Sequence, residues 1–108
     1  IGTPGAQVVS RGLMKNSNSV SLNNKPLQQD IEKKLGYKVR IENDANCFIL
    51  SEATYGAAAD VKSAFGVILG TGCGGGFVVN KQLVKGPNGI AGEWGHNCVP
   101  ASVRDLIK

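Results

Sequence analysis

The chain has 108 residues, of which 42% are hydrophobic and 19% are charged. This composition is typical of a globular chain of one domain at most, and it excludes a disordered tail, a collagen and a low-complexity linker. The net charge of +4 comes from lysines and arginines scattered without a basic run, so it mildly favours anionic ligands and argues against nucleic acid as a partner.

The ends of the chain and its cysteines indicate its setting. Because the sequence opens at Ile1 without a Met, we expect an excerpt from a longer protein. No apolar stretch approaches the roughly 18 residues of a membrane span, and no signal-peptide pattern opens the chain. Cys47, Cys73 and Cys98 have the spacing of neither a disulfide framework nor a zinc knuckle. We therefore predict reduced thiols, a cytoplasmic location and no membrane partner.

The first part of the sequence predicts strands and helices in alternation. Residues 1–5 end a strand in a Thr-Pro-Gly turn, and the Asn- and Ser-rich residues 15–24 form a loop. Pro26 and Gly36 bracket an amphipathic helix, and alternation over residues 38–42 predicts a half-buried strand. The apolar positions of the helix are Leu27, Ile31 and Leu35, and those of the strand are Val39 and Ile41.

The second part adds another helix and then strands. Residues 45–55 predict a helix that stops at Gly56, and the small residues 57–60 favour a linker between lobes. The continuous apolar run 64–69 predicts a strand buried on both faces. Residues 77–79 and 82–84 predict a hairpin turning at Asn80-Lys81. Side chains at helical spacing in the helix are Phe48, Ser51, Glu52 and Tyr55. The order of elements indicates an α/β fold.

A glycine-rich segment, Gly70–Gly76, follows the apolar strand. It matches the G-x-G-x-x-G pattern of dinucleotide folds, but an apolar strand follows it where that fingerprint needs a helix. A P-loop is excluded because the Lys-Ser/Thr pair is missing, and the other signatures of protein kinases do not occur. Two interpretations remain: a nest of backbone N–H groups that binds phosphate, with the Thr71 hydroxyl as a further donor, or a tight hairpin in a crowded core.

Two groups of polar residues are candidates for chemistry. Asp44 stands at a strand-to-helix corner, where it is either an N-cap or a general base held by its neighbour Asn43. Glu93 and His96 each follow a glycine, Gly92 and Gly95, so we expect them on a flexible backbone outside any periodic segment, where they fit a polar ligand or a metal. One histidine with Cys98 supplies only half of a zinc site.

The motifs in order resemble the ROK family of sugar kinases and repressors. Those that carry the resemblance are I-G-T-P-G at 1–5, E-N-D-A-N at 42–46, S-E-A at 51–53 with G-A-A-A at 56–59, L-G-T-G-C-G-G-G at 69–76 and G-P-N-G-I-A-G-E-W-G-H at 86–96. K-N-S-N-S at 15–19, L-N at 22–23, G-T-G-C-G at 70–74 and G-E-W-G-H-N at 92–97 are most similar to the bacterial fructokinase (manno-fructokinase) branch. N-D-A-N-C-F at 43–48 and L-S-E-A at 50–53 are equally similar to N-acetylglucosamine kinases.

The resemblance implies part of an actin-like (ribonuclease H-like) ATPase fold of two lobes. Residues 1–60 would end the small N-terminal lobe and residues 61–108 would open the large C-terminal lobe, with the sugar between them. The implied reaction is ATP-dependent phosphorylation of a hexose hydroxyl, of fructose or a related hexose, with Mg²⁺-ATP. Asp44 would be the catalytic base. Dimerisation is common in the family and is carried over as an expectation.

The remaining site residues are also carried over from the family. The sugar ligands would be Gly5, Asn18, Asn43, Glu93 and His96, and the phosphate loop Gly70, Thr71 and Gly72. His96 has a second family role as a ligand of structural Zn²⁺, whose cysteine ligands belong to a cluster that these 108 residues do not contain. Two alternatives stay open: an N-acetylglucosamine kinase, or a sugar-sensing repressor whose winged helix-turn-helix would precede Ile1. We further expect the 108 residues alone to be inactive.

Overall fold

The computed structural model describes residues 1–106, apart from the side chain of Asp105, and these fold as helices packed beside three small sheets. The strands are β1 (Gly2–Thr3), β2 (Ala6–Val8), β3 (Leu13–Lys15), β4 (Glu42–Asn43), β5 (Ser63–Leu69), β6 (Cys73–Val79) and β7 (Gln82–Leu83). The helices are α1 (Leu27–Leu35) and α2 (Asp44–Tyr55), with short 3-10 helices at Val20–Leu22 and Ala101–Leu106. The predicted α/β class is confirmed.

The first sheet pairs β1 with β4 in parallel, with Thr3 beside Asn43. Parallel strands end at the same edge, so the turn after β1 and the helix start after β4 leave the sheet side by side. A second sheet is the antiparallel pair of β2 and β3. These pairings bring residues from both ends of the first half of the chain to one place.

The strand predicted over residues 38–42 is shorter than expected, since only Glu42–Asn43 pairs. The main chain of Val39 is engaged instead by side chains of α1. Its N–H donates to Glu32 Oε1 at 3.0 Å, and its carbonyl accepts from Gln28 Nε2 at 2.8 Å. These hydrogen bonds replace the ladder that the alternating pattern predicted.

Helix α1 is confirmed close to its predicted limits. Pro26 is the N-cap where we predicted the first helical residue, and Gly36 closes the helix with a left-handed φ of 75°. That conformation suits glycine because a Cβ would be strained there. None of the residues of α1 is buried.

Helix α2 packs against the β5–β6 hairpin and forms the core with it. The buried cluster is Ile49, Ala53 and Val78. Phe48 and Tyr55, which share the predicted helical spacing, are 38% and 88% exposed. The buried face of α2 is therefore the row of small and branched residues beside them.

Strand β5 was predicted to be buried on both faces, and this is wrong. Phe65, Val67 and Leu69 are exposed, while Gly66 on the other face is buried beneath α2. In the described part of the chain, α2 covers one face of the hairpin only. The turn at Asn80-Lys81 is confirmed, with positive φ values of 50° and 61° as in a type I′ hairpin.

The predicted glycine loop divides into two parts. Residues 70–72 form the turn between β5 and β6, whereas Gly74, Gly75 and Gly76 lie inside β6 and pair with β5. Among residues 1–106, no helix is long and apolar enough to cross a membrane.

Candidate active site

A cavity of about 770 Å³ opens where β1, the start of α2, the β5–β6 turn and the segment after residue 89 meet. All nine predicted site residues line it: Gly5, Asn18, Asn43, Asp44, Gly70, Thr71, Gly72, Glu93 and His96. They come from separate stretches of the sequence. The structure thus brings together the predicted base Asp44, the glycine turn at residues 70–72 and the polar residues predicted to bind the sugar.

Asp44 is the first residue of α2 and is exposed at the cavity. Its Oδ1 accepts from the N–H of Ala45 at 2.9 Å, and no other hydrogen bond of residues 1–106 engages its carboxylate. The N-cap is Asn43, whose Oδ1 accepts from the N–H of Asn46 at 3.2 Å. The interpretation of Asp44 as the N-cap is wrong, and the carboxylate is available to a ligand.

Asn43 holds the corner together without touching that carboxylate. Its Nδ2 donates to the carbonyl of Gly5 at 2.9 Å, and its Oδ1 is the cap of α2. The idea that Asn43 directly holds Asp44 is therefore corrected: it ties the turn after β1 to the helix that begins with Asp44. A carboxamide has two N–H donors, so a second one remains for a ligand.

The segment 85–91 is fastened to the same corner through Glu42 and Asn46. Lys85 forms an ion pair with Glu42, and Asn46 Nδ2 donates to Glu42 Oε1 at 3.0 Å and to the carbonyl of Gly89 at 2.9 Å. Partial burial raises the pKa of Glu42, but the hydrogen bonds from Lys85, Asn46 and the Asn43 N–H outweigh it. The net pKa lies below the ordinary value of 4.5.

A lowered pKa at Glu42 makes part of the stability depend on pH. Because the folded state binds this proton less readily than the unfolded state, the carboxylate stabilises the fold above its unfolded pKa. That contribution is lost as the pH falls through the lowered folded pKa. We expect Glu42→Gln to have a lower free energy of unfolding in urea than the wild type at neutral pH. This difference should disappear in acid.

The comparison variant is Lys85→Met, which removes the cation and should reproduce part of that loss in the free energy of unfolding. Lys62→Met is the matched control, since Lys62 takes part in no ion pair among the described residues. A loss of stability in Glu42→Gln that is the same at every pH would contradict the stabilising role of the ionised Glu42 carboxylate.

The close-packing interpretation is confirmed for the strand glycines, whereas phosphate binding by the turn stays a prediction. A Cβ built on Gly70 or Gly72 meets nothing within 4 Å, so these positions are open to the cavity. A Cβ on Gly75 would lie 2.6 Å from the carbonyl oxygen of Gly92, and one on Gly76 would lie 2.7 Å from Ile49 Cγ2. The turn therefore leaves room for a ligand, whereas the strand glycines allow close packing.

Glu93 is held at the cavity by a segment that lies directly on β6. The Trp94 indole N–H donates to the carbonyl of Gly74 at 2.9 Å, and a Cβ on Gly92 would lie 2.6 Å from the Cα of Gly76. Gly92 and Gly95 have no left-handed φ, so they serve close packing and not the backbone freedom we expected. Glu93 Oε1 is buried and has no hydrogen-bond partner in the part of the chain that the structure describes. An acceptor in that state fits a ligand hydroxyl.

His96 lines the cavity and is exposed. Among the side chains that the structure describes, no group of three or more from His, Cys, Asp and Glu is placed to hold a metal ion. The zinc role of His96 stays a prediction, and these residues alone do not fit a zinc site. Cys47, Cys73 and Cys98 are free thiols.

The structure adds Asn16 and Cys73 to the cavity wall, and sequence reasoning named neither as a site residue. Asn16 has a positive φ of 54°, which lets it turn back toward the cavity two residues before Asn18. The signal available in the sequence was the repeated Asn in one polar loop.

In this α/β chain the open glycine turn and the Asp44 carboxylate line one cavity. Residues 1–104 match the ROK family, and the chain belongs to that family. The fold class expected from the resemblance, part of an actin-like ATPase fold, is likewise confirmed.

Three relatives illustrate the similarity. The chain is 46% identical over 107 residues to the N-acetyl-D-glucosamine kinase of Pectobacterium atrosepticum, which covers 99% of this chain and 35% of the relative. A ROK glucokinase of Streptomyces griseus, solved with glucose and AMPPNP, is 32% identical with a TM-score of 0.77, covering 93% of this chain and 32% of that one. A ROK transcriptional regulator, a homologue of the E. coli MLC protein, is 26% identical with a TM-score of 0.78, covering 91% and 25%. The chain thus spans about a third of the length of the curated relatives it matches.

Proposed function

We propose that the chain forms the sugar- and phosphate-binding part of an ATP-dependent sugar kinase, called the complete kinase below. The observation that carries the proposal is the single cavity shared by the unengaged Asp44 carboxylate, the open turn at residues 70–72 and the unpartnered Glu93 Oε1. A base, a phosphate site and a hydroxyl ligand in one cavity are what phosphoryl transfer to an alcohol requires.

In this mechanism the residues of the chain bind and orient the reactants. Asp44 accepts the proton of the sugar hydroxyl as that oxygen forms a bond to the γ-phosphorus of ATP, the bond to the bridging oxygen breaks, and ADP leaves. The main-chain N–H groups of Thr71 and Gly72 and the Thr71 hydroxyl would bind phosphate oxygens, since the Gly70 N–H already donates to the Gly72 carbonyl. The absence of a Cβ at Gly70 and Gly72 permits the phosphate to approach the turn. Mg²⁺ would neutralise the phosphate charge, and no residue of this chain is assigned to it.

The sugar would be held by the remaining polar groups. Glu93 accepts from a sugar hydroxyl and Asn43 donates its second N–H, while Asn18, His96 and the main chain of Gly5 complete the contacts. For the substrate we favour N-acetylglucosamine, because a relative of that name is 46% identical to this chain. Fructose, the substrate that the fructokinase motifs predict, is the competing proposal.

The placement of the chain in the whole protein is part of the same proposal. Residues 1–60 end the small lobe and residues 61–108 open the large lobe, so the cavity belongs to the cleft between lobes. Three free thiols fit a reducing cytoplasm. Dimerisation and the structural zinc would depend on residues of the complete kinase outside this chain.

The test is ADP release by the complete kinase with ATP and N-acetylglucosamine, fructose, mannose or glucose. We expect saturable turnover on N-acetylglucosamine; turnover only on fructose would replace the substrate and keep the kinase. A mixture without sugar is the control, and the isolated 108 residues should show no saturable ATP binding by calorimetry.

A sugar-sensing repressor is the second candidate, favoured by the TM-score of 0.78 to the transcriptional regulator. Sugar binding without turnover on any of the four sugars would support the repressor and contradict the kinase. Binding of neither sugar nor ATP would contradict both.

A further inference from the structure

We propose that Asn23 is a positioning residue for sugar selectivity, because its side chain fixes the loop that carries Asn16 and Asn18 into the cavity. This inference rests on the proposed sugar site and names a residue outside it. Asn23 does not line the cavity, so it acts through the two asparagines that do.

The Asn23 side chain forms hydrogen bonds with both the N–H and the carbonyl of Ser17. Its Oδ1 accepts from the Ser17 N–H at 2.9 Å, and its Nδ2 donates to the Ser17 carbonyl at 3.1 Å. Ser17 is only 5% exposed, and its Oγ accepts from the N–H of Ser19 at 3.1 Å. Ser17 is thereby anchored, with Asn16 before it and Asn18 after it, both facing the cavity. We call this pair of hydrogen bonds the Asn23 clamp.

The clamp also sets the loop against the turn after β1. A Cβ on Gly5 would lie 2.7 Å from the Ser17 nitrogen and 2.9 Å from the Asn16 carbonyl carbon, so this loop contacts Gly5 directly. The carbonyl of Gly5 in turn accepts from Asn43, the cap of the helix that begins with Asp44. A change at Asn23 therefore alters where Asn16 and Asn18 stand relative to the base.

The phosphate side of the cavity is independent of the clamp. Residues 70–72 close their own turn, in which the Gly70 N–H donates to the Gly72 carbonyl at 2.9 Å. Loss of the clamp should therefore affect sugar binding and sugar choice, and leave ATP unaffected. A role in folding alone would lower stability without changing the preference among sugars.

The test compares Asn23→Asp with the matched control Asn24→Asp in the complete kinase. A carboxylate at residue 23 keeps the size and the acceptor but loses the donor and faces the Ser17 carbonyl. Asn24 makes no side-chain hydrogen bond among the described residues, its N–H donates to the Met14 carbonyl at 2.8 Å, and its φ of 61° suits Asp as well as Asn. Sugar affinity is measured by calorimetry with N-acetylglucosamine and with glucose, beside KM for ATP and the melting temperature.

For Asn23→Asp we expect N-acetylglucosamine affinity to fall about 5- to 50-fold and its preference over glucose to shrink, with KM for ATP within about twofold. Asn24→Asp should bind both sugars like the wild type. An unchanged affinity ratio in a folded Asn23→Asp protein, or an equal rise in KM for ATP, would overturn the proposal. If Asn23→Asp does not fold, Asn23→Ser, which shortens the side chain without adding charge, is measured in the same way.

The binding readout separates this inference from the proposed function. A wild type that binds sugar without turnover contradicts the kinase but still tests the clamp. If the wild type binds fructose but neither of these sugars, the same variants are measured with fructose and mannose; a wild type that binds none of the four overturns the clamp proposal as well.

Discussion

Replacing Asp44 by Asn is expected to lower kcat of the complete kinase by about 10²- to 10⁴-fold, the usual contribution of a general base. The amide cannot take up the proton of the attacking hydroxyl. Sugar affinity should stay close to the wild type, because Asn has nearly the same shape and the sugar contacts at Glu93 and Asn43 remain. Steady-state ADP release together with sugar calorimetry measures both quantities.

Two further measurements make the result on Asp44 specific. Asp44 lies in the first turn of α2, so its loss also removes a favourable helix-dipole interaction of about 0.3–1 kcal/mol. The melting temperature must therefore be measured beside the rate. Asp60→Asn is the matched control, since Asp60 is exposed and lies outside the cavity. Near-normal kcat in a folded Asp44→Asn enzyme would remove Asp44 from the role of base.

Gly76→Ala is expected to destabilise the fold, whereas Gly72→Ala is expected to leave its stability nearly unchanged. At Gly76 the new methyl group would lie 2.7 Å from Ile49 Cγ2 and 2.9 Å from the Ala45 carbonyl oxygen, so the fold should lose about 1–3 kcal/mol by overpacking. At Gly72 nothing lies within 4 Å and φ is not left-handed. Stability should there stay within about 0.5 kcal/mol of the wild type.

The same Gly72→Ala enzyme should bind ATP poorly. A methyl group on the turn takes the space that a phosphate oxygen needs, and displacing a reacting group by about 1 Å costs on the order of 10²-fold in rate. Urea unfolding and kcat/KM for ATP distinguish the two variants. Equal destabilisation of both, or unchanged ATP kinetics in Gly72→Ala, would contradict the division between turn and strand glycines.

The sequence predicts the helices and turns whose limits are set by residues adjacent to them in the chain. Pro26 and Gly36 bracket α1 because one suits the start of a helix and the other its left-handed end. Asn80 and Lys81 make the hairpin turn by their own backbone conformations. Gly5 and Asn18 were predicted through the resemblance alone, the other seven site residues also from their local patterns, and all nine line one cavity.

Features that depend on distant partners were beyond the sequence. Strand β4 is short because side chains of α1 take the main-chain groups of Val39. Whether a glycine serves a ligand or packing depends on what faces it, and Gly76 faces Ile49 from another element. The Asn23 clamp shows the same limit, because an Asn in a polar loop gives no sign of which carbonyl it will bind.

Trp94 gives the molecule a built-in optical reporter. It is the single tryptophan of the chain, it follows Glu93 directly, and its indole N–H is bonded to the carbonyl of Gly74 in the strand that continues from the glycine turn. Trp94 is 37% exposed, so the emission of its ring responds to changes in the water around it. The fluorophore therefore connects the segment that carries Glu93 with the strand that follows the turn at residues 70–72, and we expect its fluorescence to follow ligand occupancy without a label.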